Sequence, residues 1–257
     1  MERARVFITG ASTGLGEALA RHYAAHGARL GLVARSRERV EALAASFPDA
    51  LAYACDVRDL AALRAAGADF MSRAGVPDLV IANAGISHGT LTEIEADAEV
   101  FREILETNVL GLVHTFHPFV AAMRERGRGQ LAGIASVAGF RGLPGASAYS
   151  ASKAAAIRYL ESLRIELHGS GVGVTTVCPG YIATPMTARN PYRMPFLLQA
   201  GEAARRIARV IDARKRYAIV PWQMAIVGRL MGLLPAAAWE AMAARAGRKP
   251  RRFVLDN

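Results

Sequence analysis

A tyrosine and a lysine spaced four residues apart make this chain a candidate for proton-transfer chemistry. Tyr149 and Lys153 lie in the helical pattern AYSASKAAAIRYLESL, where residues i and i+4 share one face with Cβ atoms about 5–6 Å apart. A phenol has a pKa of about 10, and a neighbouring cation favours the phenolate and lowers that pKa. Tyr149 can then donate a proton to a carbonyl oxygen or take one from an alcohol. The same spacing is common on solvent-exposed helices, so it does not establish the chemistry alone.

A glycine-rich turn near the start of the chain could bind the phosphates of a nucleotide. The segment TGASTGLG, Thr9 to Gly16, follows an apolar run and precedes a helical pattern. At such a turn, backbone N–H groups and the positive end of the helix can meet a pyrophosphate. Gly10 permits the tight turn, Gly14 lets the backbone approach the phosphates, and Gly16 allows close packing of the helix. Any tight strand-to-helix turn favours glycine, but the position on the first strand favours nucleotide binding.

Strands and helices alternate along most of the chain. Apolar runs predict strands at 5–9, 29–33, 51–54, 78–82, 130–135 and 172–177, with helices at 15–26, from 36, and at about 60–71, 98–126 and 148–168. This alternation predicts an α/β fold, a doubly wound parallel sheet with helices on both faces. No linker or repeat divides the chain, so residues 1–257 are interpreted as one domain. Ligands bind at the carboxyl ends of such strands, where Ser136 follows the fifth strand.

The order of motifs resembles the short-chain dehydrogenase/reductase family. The turn has the spacing G-x-x-x-G-x-G, and the resemblance extends to about Val220. The further matching motifs are Asp56-Val57, Asn83-Ala84-Gly85, Asn108, Ser136, Tyr149-x-x-x-Lys153, Pro179-Gly180 and Thr184. The resemblance implies a single-domain Rossmann fold with a seven-stranded parallel sheet. It also implies an enzyme that transfers hydride between NAD or NADP and a carbonyl compound or secondary alcohol.

The resemblance assigns a catalytic role to four residues. Tyr149 would be the acid/base, and Lys153 would tune it and hold the nicotinamide ribose. Ser136 would donate a hydrogen bond to the substrate oxygen. Asn108 would hold a water that relays protons to Lys153. The alternative for Asn108 is a helix kink filled by a water without catalytic duty.

The resemblance also implies a set of cofactor-binding residues. Asp56 and Val57 would hold the adenine edge, and the segment from Asn83 to Gly85 would pass beside the adenine ribose. The loop from Pro179 to Thr184 would contact the nicotinamide carboxamide. The full expected set is Gly10, Ser12, Thr13, Gly14, Leu15, Gly16, Arg35, Ser36, Asp56, Val57, Asn83, Ala84, Gly85, Tyr149, Lys153, Pro179, Gly180, Ile182 and Thr184.

The end of the second strand predicts NADP(H) as the cofactor. Folds that select NAD place an acid there to bind the ribose 2′-OH, whereas a 2′-phosphate needs cations. This chain has Ala34 where NAD-dependent members of the family resemble one another in carrying Asp. We expect Arg35 to bind the 2′-phosphate, with the Ser36 hydroxyl or backbone helping. Arg37 and Arg39 are interpreted as the solvated start of a helix.

The positive charge of the chain is concentrated in its last part. Residues 1–183 hold 18 basic and 18 acidic residues, whereas residues 184–257 hold 14 and 4. Such an excess indicates an anionic surface or an acidic substrate, or simply an arginine-rich composition. Residues 188–200 correspond to the family's substrate lid, and their apolar content predicts an apolar ketone or aldehyde. Arg189 and Arg193 could meet an acidic head group or only solvent.

Residues 221–257 form an apolar and basic C-terminal extension. A helix at 222–234 is apolar almost all round and must bury its surface in the core, a subunit interface or a membrane interface. Pro221, Arg229 and Pro235 argue against a transmembrane span. Cations flank the helix on both sides, which is typical of peripheral contact with an anionic membrane. A homodimer or homotetramer contact is equally compatible. The flanking cations are Arg205, Arg206, Arg209, Arg214, Lys215, Arg216, Arg245, Arg248, Lys249, Arg251 and Arg252.

Several functional classes are disfavoured by the composition. Cys55 and Cys178 cannot form a disulfide framework or a cysteine metal site. His114 and His117 lack a third ligand, so no metal is expected. No signal-peptide pattern follows the first charges, which predicts a cytoplasmic protein that could also contact the inner membrane surface peripherally. The basic residues lack interleaved aromatics, which argues against a nucleic-acid partner. The remaining alternative to an NADP(H)-dependent oxidoreductase is a catalytically silent NADP(H)-sensing or scaffold protein.

Overall fold

A parallel sheet of seven strands organises the protein. The computed structural model describes residues 4–252. The strands are β1 (Arg5–Thr9), β2 (Arg29–Ala34), β3 (Ala50–Ala54), β4 (Leu79–Ala82), β5 (Gly129–Ile134), β6 (Val172–Pro179), the short β7 (Ile182–Ala183) and β8 (Leu198–Gln199), and β9 (Tyr217–Val220). The large sheet has the order β3-β2-β1-β4-β5-β6-β9, all parallel. The order reverses between β1 and β4, where doubly wound folds bind ligands.

Helices cover both faces of this sheet. They are α1 (Gly14–Ala25), α2 (Arg37–Ala45), α3 (Leu60–Ala74), α4 (Glu95–Leu105), α5 (Gly111–Glu125), α6 (Ser147–Glu166), α7 (Ala200–Asp212), α8 (Gln223–Leu233) and α9 (Ala236–Ala243). Successive strand residues point to opposite faces, so Val6 and Ile8 pack with α1, α2 and α7, whereas Phe7 packs with α3, α5 and α6. The predicted α/β fold with a doubly wound seven-stranded sheet is confirmed.

The helix expected at 98–126 is not continuous. Helix α4 begins at Glu95, and a π-helical turn at Glu106–Leu110 separates it from α5. Asn108 lies in this turn, and its buried side chain bonds to the backbone of Ile86. A π turn inserts an extra residue into a helix and is frequent at functional sites. The segments on both sides of the turn are helical, so the sequence pattern predicted one helix and did not reveal the turn.

The C-terminal third contains two segments with distinct surroundings. The expected lid, residues 188–200, follows β7 and includes β8, and the parallel pairing of these two short strands closes its base. Helix α8 packs through Met224 and Gly228. It exposes an apolar stripe consisting of Trp222, Ile226, Leu230 and Leu233, with Leu233 80% exposed. No helix within residues 4–252 is both long and apolar enough to cross a membrane.

Candidate active site

The glycine turn has the left-handed backbone conformation that glycine readily adopts. Gly10 and Gly14 have φ values of 66° and 58°, in the left-handed region that favours glycine. A Cβ on Gly10 would lie 2.7 Å from the Cα of Ala84, so the ends of β1 and β4 approach closely. Thr13 precedes α1 without a side-chain cap. The first N–H groups of a helix have no intrahelical acceptor, and here two of the residues that carry them, Gly14 and Leu15, line the cleft.

Asn83 braces this turn from the neighbouring strand. Its side-chain Nδ2 donates to the carbonyl oxygens of Thr9 at 3.2 Å and Gly10 at 3.1 Å. Asn83 was expected only beside the adenine ribose, and the bracing contact was not predicted. The residue therefore fixes the phosphate-binding turn in addition to lining the cleft.

A single cleft of about 390 Å³ gathers most of the predicted site residues. Gly16 and Asn108 are the two that do not line it. A Cβ on Gly16 would lie 2.0 Å from the carbonyl oxygen of Gly10, so this glycine permits packing beneath the turn. The cleft is also lined by residues that were not predicted as site residues: Ala34, Arg39, Cys55, Ile86, Thr107, Ile134, Ala135, Pro185, Met186 and Thr187.

One end of the cleft carries two exposed guanidinium groups. Arg35 and Arg39 both line it, and no ion pair found within residues 4–252 engages either of them. The Ser36 hydroxyl accepts a hydrogen bond from the Arg39 backbone N–H at 3.4 Å and thus caps α2. Arg37 pairs with Glu41 on the surface, as its interpretation as a solvated residue implies. Arg39 is also exposed, as that interpretation implies, but it lines the cleft as well, which the sequence did not predict.

Asp56 is held in place beside this end of the cleft. Its carboxylate accepts hydrogen bonds from the side chain of Arg58 at 2.8 and 3.0 Å, and from the Arg58 backbone at 2.9 Å. Partial burial raises the pKa of Asp56, but these hydrogen bonds and the nearby charges of Arg58 and Arg35 leave it below the ordinary value. The group is therefore a fixed anion at the expected adenine end.

Ser136, Tyr149 and Lys153 meet deeper in the same cleft. Lys153 is only 4% exposed, and its Nζ donates to the Ile134 carbonyl oxygen at 2.9 Å. The same Nζ lies 5.8 Å from the centroid of the Tyr149 ring. The Ser136 hydroxyl accepts from the backbone N–H of Ala138 at 3.1 Å. Helix α6 therefore presents the tyrosine and lysine on the face that meets the end of β5.

Burial shifts the pKa of both Tyr149 and Lys153. Burial raises the pKa of Tyr149 above its ordinary value, and the hydrogen bond with Ser136 offsets only part of the rise. Burial lowers the pKa of Lys153 to about 8. The shift of Tyr149 comes from burial and the Ser136 hydrogen bond, so the expectation that Lys153 lowers the pKa of Tyr149 stays a prediction. Tyr149 is held as a neutral phenol, the form that donates a proton.

Asn108 connects three segments behind the cleft. Its Oδ1 accepts from the Ile86 backbone N–H at 2.8 Å, and its Nδ2 donates to the Ile86 carbonyl at 3.0 Å and to the Ser152 hydroxyl at 2.9 Å. A Cβ on Gly85 would lie 3.1 Å from Asn108 Oδ1 and 3.6 Å from Lys153 Nζ. The Asn108 side chain thus ties the loop after β4 to α6. Its role in holding a proton-relaying water stays a prediction.

The loop after β6 contains a second threonine that sequence reasoning missed. The Thr184 backbone N–H donates to the Thr187 Oγ1 at 3.1 Å, and that hydroxyl donates to the Ile182 carbonyl oxygen at 2.6 Å. Thr187 therefore shapes the loop segment that carries Thr184. The spacing T-x-x-T is the signal that could have identified it, because threonine hydroxyls commonly bond to nearby backbone groups.

The geometry of the cleft fits a dinucleotide cofactor. A turn that only glycine can form, a helix N-terminus and two guanidinium groups lie along one side of a cleft with an acid/base group at depth. The turn has no room for a Cβ at Gly10, and at Gly14 a Cβ would lie 3.1 Å from Thr184 Cγ2. Close backbone approach of this kind is what pyrophosphate binding requires.

Comparison with known proteins gives the same assignment. A sequence profile described as short chain dehydrogenase matches residues 4–193. An uncharacterized oxidoreductase of Myxococcus xanthus is 39% identical over 93% of this chain and 95% of its own length. A short chain dehydrogenase of Burkholderia cenocepacia, solved with NADP, has a TM-score of 0.81 at 26% identity and covers 94% of this chain and 98% of its own. A 3-oxoacyl-[acyl-carrier protein] reductase of Brucella melitensis, solved with NAD, has a TM-score of 0.74 at 28% identity, covering 85% and 90%. The chain belongs to the short-chain dehydrogenase/reductase family and is an oxidoreductase.

Proposed function

We propose that this protein is an NADP(H)-dependent carbonyl reductase, or alcohol dehydrogenase in the reverse direction. The observation that carries the proposal is one cleft that joins Ser136, Tyr149 and Lys153 to the guanidinium groups of Arg35 and Arg39. The first three groups suit proton transfer to a carbonyl oxygen. The two arginines suit a 2′-phosphate, which NAD lacks.

Several elements of the fold would share the binding of the cofactor. The backbone of the glycine turn and the start of α1 would hold the pyrophosphate. Arg35 and Arg39 would hold the 2′-phosphate, and the N-terminus of α2 adds a favourable dipole. Asp56 would orient the adenine end, and Thr184 the nicotinamide end. A nicotinamide bound there supplies the hydride in reduction and accepts it in oxidation.

The chain's own groups would move the proton. Tyr149 donates its phenolic proton to the carbonyl oxygen as that oxygen gains charge, and Ser136 donates a hydrogen bond to the same oxygen. Lys153 is a cation at neutral pH because its pKa is about 8, so it stabilises the phenolate that remains. Asn108 holds the loop after β4 against α6 and so keeps Lys153 in place. Reduction would be the cellular direction wherever NADP is kept reduced.

An apolar carbonyl compound is the proposed substrate. Met186 lines the cleft, and the lid exposes Phe196 and Leu197 to solvent. Such a rim favours a substrate with an apolar body, because covering it removes apolar surface from water.

Steady-state consumption of NADPH tests the proposal. Purified protein is supplied with ketones and aldehydes graded in chain length, ring count and head-group charge, with NADH in parallel. We expect turnover that rises with apolar size and a clear preference for NADPH. Equal use of NADH would contradict the cofactor assignment, and tight NADPH binding without turnover of any carbonyl would favour a sensing protein.

We further propose that the apolar stripe on α8 contacts a second copy of the chain. Four of the cations flanking the stripe are already in ion pairs, with Glu202, Asp97 and Glu103 as partners, which weakens their attraction for an anionic membrane. Sedimentation of the wild type and of Leu230→Ser tests this: we expect a dimer or tetramer that the substitution dissociates. A monomeric wild type that pellets with phosphatidylserine vesicles at low salt would place the stripe on the membrane instead.

A further inference from the structure

The C-terminal chain returns to the catalytic tyrosine. The backbone N–H of Gly89 donates to the Pro250 carbonyl at 2.8 Å, and Gly89 forms a parallel bridge with Arg251. Arg251 donates to both carboxylate oxygens of Asp97, at 2.7 and 3.0 Å, and Asp97 is only 1% exposed. These contacts join the tail to the loop after β4 and to the start of α4. They leave little freedom to Lys249, which directly precedes the anchored Pro250 and Arg251.

The Lys249 side chain points at the acid/base group. Its Nζ lies 5.2 Å from the centroid of the Tyr149 ring, nearer than the Nζ of Lys153. Within residues 4–252 no acid or carbonyl oxygen forms a hydrogen bond or ion pair with this ammonium group. Burial lowers its pKa to about 8, so it is mostly a cation at neutral pH.

The lid reaches the same place from the other side. A Cβ on Gly247 would lie 2.8 Å from the Cβ of Tyr192, so tail and lid are in contact. The Tyr192 ring stacks edge-on at 6.4 Å from Tyr181, and the proximity of Tyr149 contributes to the raised pKa of Tyr192. Lys249 therefore lies where the lid, the tail and the acid/base group converge. This region borders Tyr149, beside which a reacting carbonyl would lie.

The surroundings of Lys249 are positively charged. His88, in the loop after β4, has a lowered pKa, first because of burial and then because Arg252, Lys249 and Arg189 lie near. The acid nearby, Glu103, is paired with Arg252. A half-buried cation in a positive field without a counter-ion is unfavourable until an anion binds.

We propose that Lys249 binds an anionic group of the substrate, so that the substrate class is an oxo acid: a carbonyl compound with a carboxylate and an apolar body. The inference rests on the proposed reductase function and narrows it. The reacting carbonyl would contact Tyr149 and Ser136, and the carboxylate would contact the Lys249 ammonium. Lys249 is then a specificity residue, and the tail that carries it is part of the substrate site.

Matched pairs of ketones test this assignment. The probes are methyl-ketone carboxylic acids of graded chain length, starting with levulinate, each assayed beside its methyl ester with NADPH. In Lys249→Met we expect KM for the acid to rise about tenfold or more, because one hydrogen bond to a charged group is lost. The KM for the ester and the kcat for both should change little. Lys249→Arg should retain the preference for the acid, and Arg248→Met, an exposed cation on the same tail, serves as the matched control.

The outcomes separate the two proposals. Equal KM values for acid and ester in the wild type, or an acid preference that survives in Lys249→Met, would overturn the role of Lys249 and leave the reductase intact. An equal loss of kcat for acid and ester would also overturn it, since Lys249 would then act on Tyr149 and not on the carboxylate. If no ketone is reduced, calorimetric titration of the acids into the NADPH complex decides: binding lost in Lys249→Met supports the anion site, and binding unchanged refutes it.

Discussion

Replacing Gly16 by alanine would test how the phosphate-binding turn is built. The new Cβ would lie 2.0 Å from the Gly10 carbonyl oxygen and 2.5 Å from the Asn83 Nδ2. Cβ contacts shorter than 3.0 Å essentially do not occur, so the turn must move by about 1 Å against a close-packed interior. The movement strains both hydrogen bonds by which Asn83 holds the turn.

The expected loss follows from these contacts. Overpacking costs about 1–3 kcal/mol, and a weakened hydrogen bond adds about 1 kcal/mol. If this total of about 2–4 kcal/mol falls on the geometry that binds the cofactor, the Kd for NADPH rises about thirtyfold to nearly a thousandfold. Fluorescence titration with NADPH measures the affinity, and thermal unfolding measures the share lost as stability. Gly232→Ala is the control, because a Cβ there meets nothing within 4 Å. Wild-type affinity and stability in Gly16→Ala would refute the reasoning.

Three further predictions address charge. Arg35→Ala and Arg39→Ala should each lower kcat/KM with NADPH about tenfold or more and leave kcat/KM with NADH unchanged. Arg37→Ala is the control. An equal loss of kcat/KM with both cofactors would contradict the 2′-phosphate site. The kcat/KM for carbonyl reduction should fall as pH rises through about 8, because Lys153 loses its proton there; a profile that stays flat through that pH would show that this charge is not needed. The pKa of Asp97 is lowered in the fold, so its ionised carboxylate stabilises the folded protein above the unfolded pKa of about 3.9, and this stabilisation is lost as pH falls through the lower pKa of the folded state. Asp97→Asn should therefore lower the free energy of unfolding at neutral pH. Equal acid sensitivity of wild type and variant in chemical denaturation would contradict this.

Local patterns in the sequence predicted six of the seven strands of the large sheet, whereas β9 at Tyr217–Val220 was implied only by the family resemblance, which also supplied most of the cleft residues. Strand residues such as Val6 and Phe7 alternate between two helical layers, and the alternation of strands and helices leaves few possible topologies. Motifs that follow strands then lie at one edge of the sheet by geometry. The positions of Gly10, Ser136 and Tyr149 in the cleft follow from this rule together with the family resemblance.

Features that depend on contacts between distant segments could not be predicted. The tail that carries Lys249 is anchored by Asp97 and Arg251, which are 154 residues apart in the chain, and no local periodicity encodes such a pair. Asn83 braces the glycine turn across two strands. The pKa of Tyr149 depends on the balance of burial against its hydrogen bond with Ser136, which only the folded surroundings set.

The most direct test of the account is NADPH consumption by Tyr149→Phe beside Tyr159→Phe. Tyr159 lies on the same helix and packs against the core outside the cleft, so it controls for loss of a phenol hydroxyl from α6. The account predicts that Tyr149→Phe binds NADPH as the wild type does and reduces no carbonyl compound at a measurable rate, whereas Tyr159→Phe keeps its activity. Substantial carbonyl reduction by Tyr149→Phe would contradict the central claim that this phenol supplies the proton.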